Sequence, residues 1–149
     1  KVNSADEMLE ACESSLPADI AVCAAAVADY KIANKEIAKI KKDGSRQNII
    51  LEENPDILER LSKRNHLRPK LVVGFAAETS NLERNSDEKL NKKGCDWVLG
   101  NNVSENSIFN QDTNKIYFTS KLYSENWELM TKKEVAKKLC EKISLHLNN

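Results

Sequence analysis

The sequence is poor in glycine and aromatic residues and has no excess charge of either sign. Glycine occurs only 4 times in 149 residues, and aromatic residues make up 5% of the chain. The 23 lysine and arginine residues balance the 23 aspartate and glutamate residues. Because a strong positive charge is what usually draws a protein to nucleic acid or to an anionic membrane, this balance argues against both partners. A site for an anionic ligand must therefore depend on a local cluster of cations.

Long apolar runs, cysteine pairs and metal-ligand clusters are also missing. No apolar stretch approaches the roughly 20 residues that a transmembrane helix needs, and the N-terminal residues 1–4 do not resemble a signal peptide. The four cysteines lack the C-x-x-C spacing of zinc and redox motifs, and neither histidine has a potential ligand partner nearby in sequence. We therefore expect free thiols, no protein-bound metal and a cytoplasmic location.

Helical and strand-like patterns alternate along the chain, which favours an α/β fold with a mainly parallel sheet. Continuous apolar runs at 19–26 and 70–77 are typical of buried central strands. Shorter strands are predicted at 48–53 and 96–100. The length suits one domain over residues 1–149, and we expect a Rossmann-like arrangement of three layers.

Start and stop signals place the helices between these strands. A capping box at Ser4 predicts a helix to about residue 15. Asn54 is predicted to cap a second helix, with Pro55 at its first position and Asp56 in its first turn. A third helix is predicted from residue 80 to Gly94, which has the position of a terminating glycine.

The C-terminal part has a different character, with a predicted antiparallel hairpin followed by a helix. Residues 115–120 and 126–130 alternate apolar and polar side chains. A second capping box, from Thr131 to Glu134, opens the last helix. The apolar residues of that helix are spaced for one buried face, and they are Val135, Ala136, Leu139, Cys140, Ile143 and Leu147.

Residues 27–47 are predicted to form a long functional loop, because loops beyond about 12–15 residues are uncommon without a function. Asp29 stands where the predicted strand at 19–26 gives way to this loop, and carboxyl ends of strands are where open α/β sheets bind ligands. Its carboxylate could accept hydrogen bonds from ribose hydroxyls or a base amine. The alternative is a loop carboxylate that caps backbone amides.

Two groups of lysines could supply the cationic part of a phosphate site. Lys39, Lys41 and Lys42 occupy three of the four positions 39–42 in the predicted loop, and lysine is a compact point charge that suits phosphate groups. Lys89 and Lys93 are four residues apart, hence on one face of the third helix. The alternative for both groups is a solvated surface.

Two further features lie near predicted strand ends. The start of the second helix, residues 55–58, presents backbone amides that favour anions or polar base atoms, although an ordinary capped helix explains the same residues. Phe75 follows Gly74 late in the strand at 70–77, where it could pack in the core or stack on a base.

Taken in order, these motifs resemble one family, the phosphopantothenate–cysteine ligases, which form the CTP-dependent synthetase part of the coenzyme A biosynthesis flavoprotein. The resemblance runs from Val2 to about Leu147. Its motifs are Ala24 to Tyr30, Lys39 to Lys42, Asn54 to Leu58, Val72 to Thr79, Lys89 with Lys93 to Trp97, Asn101, and the segment after Phe109.

The resemblance implies a reaction in which 4′-phosphopantothenate and cysteine are joined through an acyl-cytidylate made from CTP. It implies Lys39 as the catalytic cation. The implied nucleotide contacts are Cys23, Ala24, Ala25, Asp29, Lys39, Pro55, Asp56, Ile57, Leu58, Phe75, Lys89 and Lys93. It also implies Mg²⁺ with the triphosphate, FMN only on a separate decarboxylase domain fused to or associated with this one, and a homodimer with the hairpin at 115–130 as a candidate contact.

The sequence departs from the family pattern in three places. The family's glycine-rich N-terminal segment, and the Asn and Arg that act on its acyl intermediate, have no match, so we expect the C-terminal two thirds of a synthetase domain. Asn102 stands where the family more often has Asp, and Lys31-Ile32 replaces a frequent Arg-Pro.

Three alternatives remain open. The chain could bind CTP without catalysing the reaction, or it could be an interaction module that reuses the fold. A dehydrogenase-type dinucleotide domain is disfavoured, because no G-x-G-x-x-G follows a predicted strand.

Overall fold

A computed structural model describes residues 1–34, 41, 44, 48–103 and 113–148. The helices within these residues are α1 (Ala5–Ser14), α2 (Ile57–Ser62), α3 (Leu82–Lys93) and α4 (Lys132–Leu147). The strands are β1 (Ile20–Cys23), β2 (Tyr30–Ile32), β3 (Leu51–Glu53), β4 (Leu71–Glu78), β5 (Trp97–Asn102), β6 (Thr113–Asn114), β7 (Ile116–Ser120), β8 (Ser124–Asn126) and β9 (Met130–Thr131).

The main sheet has five strands in the order β1-β4-β5-β7-β8. Strands β1, β4 and β5 are parallel, and the β7–β8 hairpin adds two antiparallel strands beside β5. This confirms the expected α/β fold, with its mainly parallel sheet, C-terminal hairpin and final helix. The parallel order brings the carboxyl ends of β1, β4 and β5 to one edge of the sheet.

Each face of the sheet packs against helices, because successive residues of a strand point to opposite sides. Val72 and Ala76 of β4 face a cluster that includes Leu58 of α2 and Leu90 of α3. Leu71 and Val73 face a larger cluster on the other side, where α4 contributes Val135, Leu139 and Ile143 and the hairpin region contributes Phe118 and Trp127. The three layers are therefore α2 with α3, the sheet, and α4.

Two glycines in the sheet allow α2 and α3 to approach it closely. A β-carbon at Gly74 would lie 2.6 Å from Leu58 Cδ2, and one at Gly100 would lie 2.2 Å from Ser86 Oγ. Both contacts are shorter than side chains tolerate, so glycine at these positions permits direct helix–sheet contact. The close approach places Leu58, in the first turn of α2, against Gly74 in the middle of β4.

Several predicted elements are confirmed. Ser4 caps α1 by accepting a hydrogen bond from the Glu7 amide, and Thr131 and Glu134 form the second capping box. Gly94 ends α3 in a left-handed conformation, with φ of 70°.

Other predicted boundaries are wrong. The strand predicted at 19–26 ends at Cys23, and residues 24–28 are exposed. Residues 48–53 do not join the main sheet; β3 pairs instead with β2 in a separate antiparallel ribbon. Residues 30–32, predicted as loop, therefore form a strand, whose three residues are too few to give a periodic signal.

The starts and faces of two helices also differ from the prediction. Asp56 caps α2, not Asn54, because its carboxylate accepts a hydrogen bond from the Glu59 amide at 2.9 Å. The Asn54 side chain donates to the Ala28 carbonyl at 2.8 Å. In α4, Val135, Leu139 and Ile143 are buried at every fourth position, whereas the predicted stripe residues Ala136, Cys140 and Leu147 are exposed.

The predicted second strand of the hairpin, 126–130, is also wrong in its bounds. The strand that pairs with β7 is β8, Ser124–Asn126, and Met130 belongs to β9, which pairs with β6. Trp127, between β8 and β9, turns into the core and is only 1% exposed.

Candidate functional site

The candidate site lies beside the carboxyl end of β1 and the middle of β4, between the start of α2 and one face of α3. The register pairs Cys23, the last residue of β1, with Gly74 of β4, so the end of β1 lies beside Phe75. Four predicted residues meet around this point: Asp56, Phe75, Lys89 and Lys93.

Lys89 reaches from α3 to the backbone of β4. Its Nζ donates a hydrogen bond to the Phe75 carbonyl oxygen at 2.7 Å. A carbonyl is neutral, and among the described residues no carboxylate forms an ion pair with Lys89, although its charge acts on the nearby Asp56. An ammonium group has three N–H donors, so Lys89 keeps donors for an anionic ligand.

Lys93, one turn further along α3, is paired with carboxylates. Its Nζ donates to Asp56 Oδ2 and lies 3.7 Å from Glu59 Oε2, and its side chain is 18% exposed. The hydrogen bond to Asp56 raises the pKa of Lys93 above its ordinary value, and the charges of Glu59 and Asp29 act in the same direction. Lys93 therefore holds the N-terminus of α2 against the end of α3.

The Asp56 carboxylate caps α2 and pairs with Lys93 at the same time. Burial alone would raise the pKa of Asp56, but the hydrogen bonds from Lys93 and the Glu59 amide, with the charges of Lys93 and Lys89, hold it below its ordinary value. The carboxylate is thus ionised at neutral pH. It occupies the end of α2 that the sequence predicted to be open to an anion.

Asp29 is exposed at the start of the ribbon. Its backbone carbonyl accepts a hydrogen bond from the Asn54 amide at 2.8 Å, which ties it to the segment before α2. Because its charge contributes to the raised pKa of Lys93, the Asp29 carboxylate lies within electrostatic reach of the cluster.

Cys23, Ala24 and Ala25 follow the edge of the sheet. Burial raises the pKa of the Cys23 thiol to about 11, and the nearby Asp56 carboxylate adds to this effect. The thiol is therefore protonated at neutral pH and unsuited to nucleophilic attack. Ala24 and Ala25 are exposed, so their backbone is open to a ligand.

The side chains of three other predicted contacts pack in or against the core. Ile57 and Leu58 are each 8% exposed and belong to it. Phe75 is half-buried, and its side chain packs on the α4 side of the sheet. In this structure Phe75 serves the cluster through its carbonyl. Pro55, just before the Asp56 cap, is half-buried.

The catalytic candidate Lys39 lies outside the described residues, as does Lys42. The four cysteines are free thiols. Within the described ranges, no group of three or more His, Cys, Asp or Glu side chains could hold a metal ion. Among the same residues, no helix has the length and apolar character needed to cross a membrane.

Two residues of this region, Asn85 and Glu78, were not predicted from the sequence as part of the site. Asn85 lies on the same face of α3 as Lys89 and Lys93, and its Nδ2 donates to Glu78 Oε2 at 2.7 Å. The spacing of four residues from 85 to 93 is the signal that could have found it. An open groove of about 570 Å³ continues from Asp56 and Glu59 along α2 to His66.

A three-layer α/β domain with a mainly parallel sheet and a charged cluster beside the carboxyl end of β1 defines the class: a Rossmann-like domain. The particular family follows from comparison with known proteins. The chain belongs to the family of DNA/pantothenate metabolism flavoprotein C-terminal domains, whose model matches residues 1–146.

Relatives cover nearly all of this chain. Coenzyme A biosynthesis bifunctional protein CoaBC of Haemophilus influenzae is 38% identical over 143 residues, covering 95% of this chain and 36% of that protein. A cysteine/cysteine sulfinic acid decarboxylase from an unknown prokaryotic organism is 37% identical over 145 residues, covering 95% of this chain and 40% of that protein.

A solved structure has the same fold. The crystal structure of the C-terminal domain of CoaBC superposes with a TM-score of 0.75 at 30% identity. The match covers 99% of this chain and 64% of that domain. The chain therefore spans about a third of the length of the CoaBC relative and somewhat under two thirds of the solved domain.

Proposed function

We propose that this chain is the larger part of a CTP-dependent ligase that joins 4′-phosphopantothenate and cysteine into 4′-phosphopantothenoylcysteine in coenzyme A biosynthesis. The observation that carries the proposal is the meeting of Lys89, Lys93, Asp56 and the Phe75 carbonyl beside the carboxyl end of β1, in a chain of this family. A lysine that keeps free N–H donors at that place suits a nucleoside triphosphate.

The proposed reaction has two steps. A carboxylate oxygen of 4′-phosphopantothenate attacks the α-phosphorus of CTP, a new P–O bond forms, and the bond to pyrophosphate breaks. The cysteine amine then attacks the acyl carbon, CMP leaves with the electron pair of the C–O bond, and the amine loses a proton. Both attacks gain from holding the reactants in place, which is the contribution expected of the nucleotide site.

Different residues of the site would bind the phosphates and the nucleoside. Lys89 would bind phosphate oxygens, since its hydrogen bond to the Phe75 carbonyl leaves other N–H donors available, while Lys93 would do so only by sharing its bond to Asp56. Asp29 and the open backbone of Ala24 and Ala25 would receive the nucleoside, with the start of α2 beside them.

Cys23, Pro55, Ile57 and Leu58 would contribute backbone contacts, and Phe75 would stack on cytosine only after its ring turned from the α4 side. Lys39 is proposed as the cation that offsets charge at the α-phosphoryl group. We expect Lys39→Ala to lower the rate of the CTP-dependent reaction of the longer protein without unfolding it; an unchanged rate would contradict this role.

Magnesium is proposed to accompany CTP. Magnesium is commonly held by substrate phosphates with one or two carboxylates and water, which fits a site whose exposed carboxylate is Asp29. When bound, it would shield the charge of the triphosphate.

The proposal extends to a longer protein. The bifunctional name of the CoaBC relative supports fusion to a second activity, proposed to be a decarboxylase domain that carries FMN. β1 is an edge strand of the main sheet with Val22 exposed, so residues of the longer domain could add a strand there. A homodimer in the cytoplasm is part of the same proposal.

A second candidate is nucleotide binding without catalysis by this part of the domain. It is favoured by the relative named as a different decarboxylase, which shares the domain at a similar identity. An interaction module on the same fold is the third possibility.

The test is a titration of CTP, with ATP and NAD as controls, against the melting temperature of this chain in the presence of Mg²⁺. A ligand that binds only the folded state at 100 times its Kd stabilises it by about 2.7 kcal/mol, so selective binding of CTP would be visible. No shift with CTP would contradict a preformed nucleotide site in this chain. A shift with NAD alone would favour a dinucleotide domain.

A further inference from the structure

Helix α3 presents a row of three hydrogen-bond donors, each one turn from the next. Lys93 donates to Asp56, Lys89 donates to the Phe75 carbonyl, and Asn85 donates to Glu78. The two lysines are accounted for by the proposed nucleotide site, and Asn85 is not.

Asn85 ties together both sides of the turn between β4 and α3. Its Nδ2 lies 2.7 Å from Glu78 Oε2 and 3.2 Å from the Ser80 carbonyl oxygen. Asn81, which caps α3, has a φ of 51° and makes no side-chain cap bond. Because a left-handed conformation is costly for a residue with a β-carbon, this turn needs bonds from elsewhere to hold it.

The backbone of Glu78 is held in place by its pairing within the sheet. It is the last residue of β4, it pairs with Asn102 of β5, and its carbonyl accepts a hydrogen bond from the Val103 amide at 2.8 Å. A side chain that binds Glu78 therefore binds α3 to the end of the sheet. With a rise of about 1.5 Å per residue, Lys89 lies about 6 Å further along the helix.

We propose that Asn85 is a positioning residue for the nucleotide site. It acts through Glu78, and it sets the height and rotation of α3 so that Lys89 meets the Phe75 carbonyl and the phosphates beside it. Asn85 does not touch the nucleotide. The inference rests on the proposed function, because CTP binding is the measurement that reports it.

The first variant is Asn85→Asp, which keeps the shape of the side chain but replaces the amide donor with a carboxylate facing Glu78. We expect the affinity for CTP, measured by calorimetry on this chain, to fall about tenfold as Lys89 moves off its position. The affinity for cytidine, which has no phosphates, should stay within about twofold of wild type. A merely structural loss would weaken both ligands alike.

The second variant restores the bond in reverse. In Glu78→Gln with Asn85→Asp, the amide at position 78 donates to the carboxylate at position 85, and the net charge equals that of wild type. We expect most of the CTP affinity to return. Glu78→Gln alone keeps an acceptor for Asn85, and we expect it to cost less than about threefold. The double variant keeps the test informative if Asn85→Asp alone fails to fold, because a folded double variant that binds CTP weakly would contradict the role.

The matched control is Asn91→Asp, the same change at an exposed position of the same helix. It should leave CTP binding unchanged. If Asn85→Asp binds CTP as wild type does, or if CTP and cytidine weaken in parallel, or if the double variant shows no recovery, the positioning role is wrong. If wild type binds no CTP, a preformed nucleotide site in this chain is contradicted and this inference falls with it.

Discussion

Ser86 combines burial with an unsatisfied hydroxyl. Its side chain packs against Gly100, and among the described residues Ser86 Oγ has no hydrogen-bond partner. A buried polar group without a partner costs about 1–3 kcal/mol. We therefore expect Ser86→Ala to leave the free energy of unfolding unchanged or to raise it, as measured by urea denaturation.

Ser62 provides the matched control, since it is also buried but its hydroxyl donates to the Leu58 carbonyl at 2.6 Å. Ser62→Ala should lower the free energy of unfolding by about 0.5–1 kcal/mol. An equal loss in both variants would show that the Ser86 hydroxyl is satisfied in solution.

The pKa shifts of Asp56 and Lys93 predict that their pairing stabilises the folded state only between an acidic and an alkaline limit of pH. The pKa of Asp56 is below its ordinary 3.8, so its contribution to folding is present above pH 3.8 and is lost as the pH falls through the lower value of the folded state. The pKa of Lys93 is above 10.5, so its contribution is present below pH 10.5 and is lost as the pH rises through the higher folded value.

Comparing wild type with Lys93→Met tests this pair. The difference in free energy of unfolding should be constant between about pH 5 and 9 and should shrink towards both extremes. A difference that does not vary with pH would mean that Lys93 stabilises the fold by packing alone.

At the residue scale, the local sequence predicted which site residues share a face but not what each side chain binds. The spacing of Lys89 and Lys93 placed them correctly on one side of a helix. The pair between Lys93 and Asp56 joins residues 37 positions apart, and the orientation of the Phe75 ring depends on which sheet face α4 covers. Neither depends on local pattern.

Arg68 connects three elements at the end of the sheet opposite the site. Its guanidinium donates to the Asp96 carboxylate at 2.8 and 2.9 Å, to the Ser62 carbonyl at 2.7 Å, and to the Pro69 carbonyl at 2.8 Å. Asp96 also accepts from the Val72 amide at 2.7 Å. The planar group thus joins the end of α2 to the starts of β4 and β5.

Lysine cannot reproduce this fork of donors. We expect Arg68→Lys to lower the free energy of unfolding by roughly 2 kcal/mol, because buried carbonyls lose their partners. Arg60→Lys, on an exposed position of α2, should stay within about 0.5 kcal/mol of wild type. Urea denaturation of both variants gives the comparison, and similar values would contradict the clamp.

At the element scale, the longer elements were predicted better than the short ones. β4 and α3 have 8 and 12 residues, while in α4, with 16 residues, the cap was predicted correctly but half of the predicted apolar stripe is exposed. β2 and β3 have three residues each and pair only with each other, so their strand character depends on a partner that no local window contains.

At the scale of the whole molecule, the β2–β3 ribbon exposes large apolar side chains. Tyr30, Ile32 and Leu51 share one face by register and are 55%, 45% and 56% exposed. A standard interface buries about 800 Å² on each partner, to which three large apolar residues contribute a substantial part. This face is an alternative to the hairpin at 115–130 as the contact surface of the proposed homodimer.

Two matched substitutions separate these surfaces. We expect Leu51→Lys to shift the mass measured by sedimentation velocity towards the monomer without lowering the melting temperature. Leu122→Lys, at a hairpin residue that is 90% exposed, should leave the mass unchanged. The reverse result would assign the contact to the hairpin, and no association in wild type would contradict the homodimer.

The whole fold was more predictable than its parts, because the alternation of elements limits the architecture more than any single boundary does. The separate ribbon was not foreseen, since residues 48–53 resemble a strand of the main sheet. Its position is fixed by bonds such as that from Asn54 to Ala28, which joins segments 26 residues apart.

The row of donors on α3 also limits how this gene can change in length. One residue added to an α-helix turns everything beyond it by about 100°. A single codon inserted between Asn85 and Lys89 would therefore carry both lysines away from their acceptors while leaving each of them in the sequence. Seven added residues would restore the rotation but would still move both lysines about 10 Å along the helix axis, so an insertion between Asn85 and Lys89 separates the lysines from their acceptors even when it restores the phase.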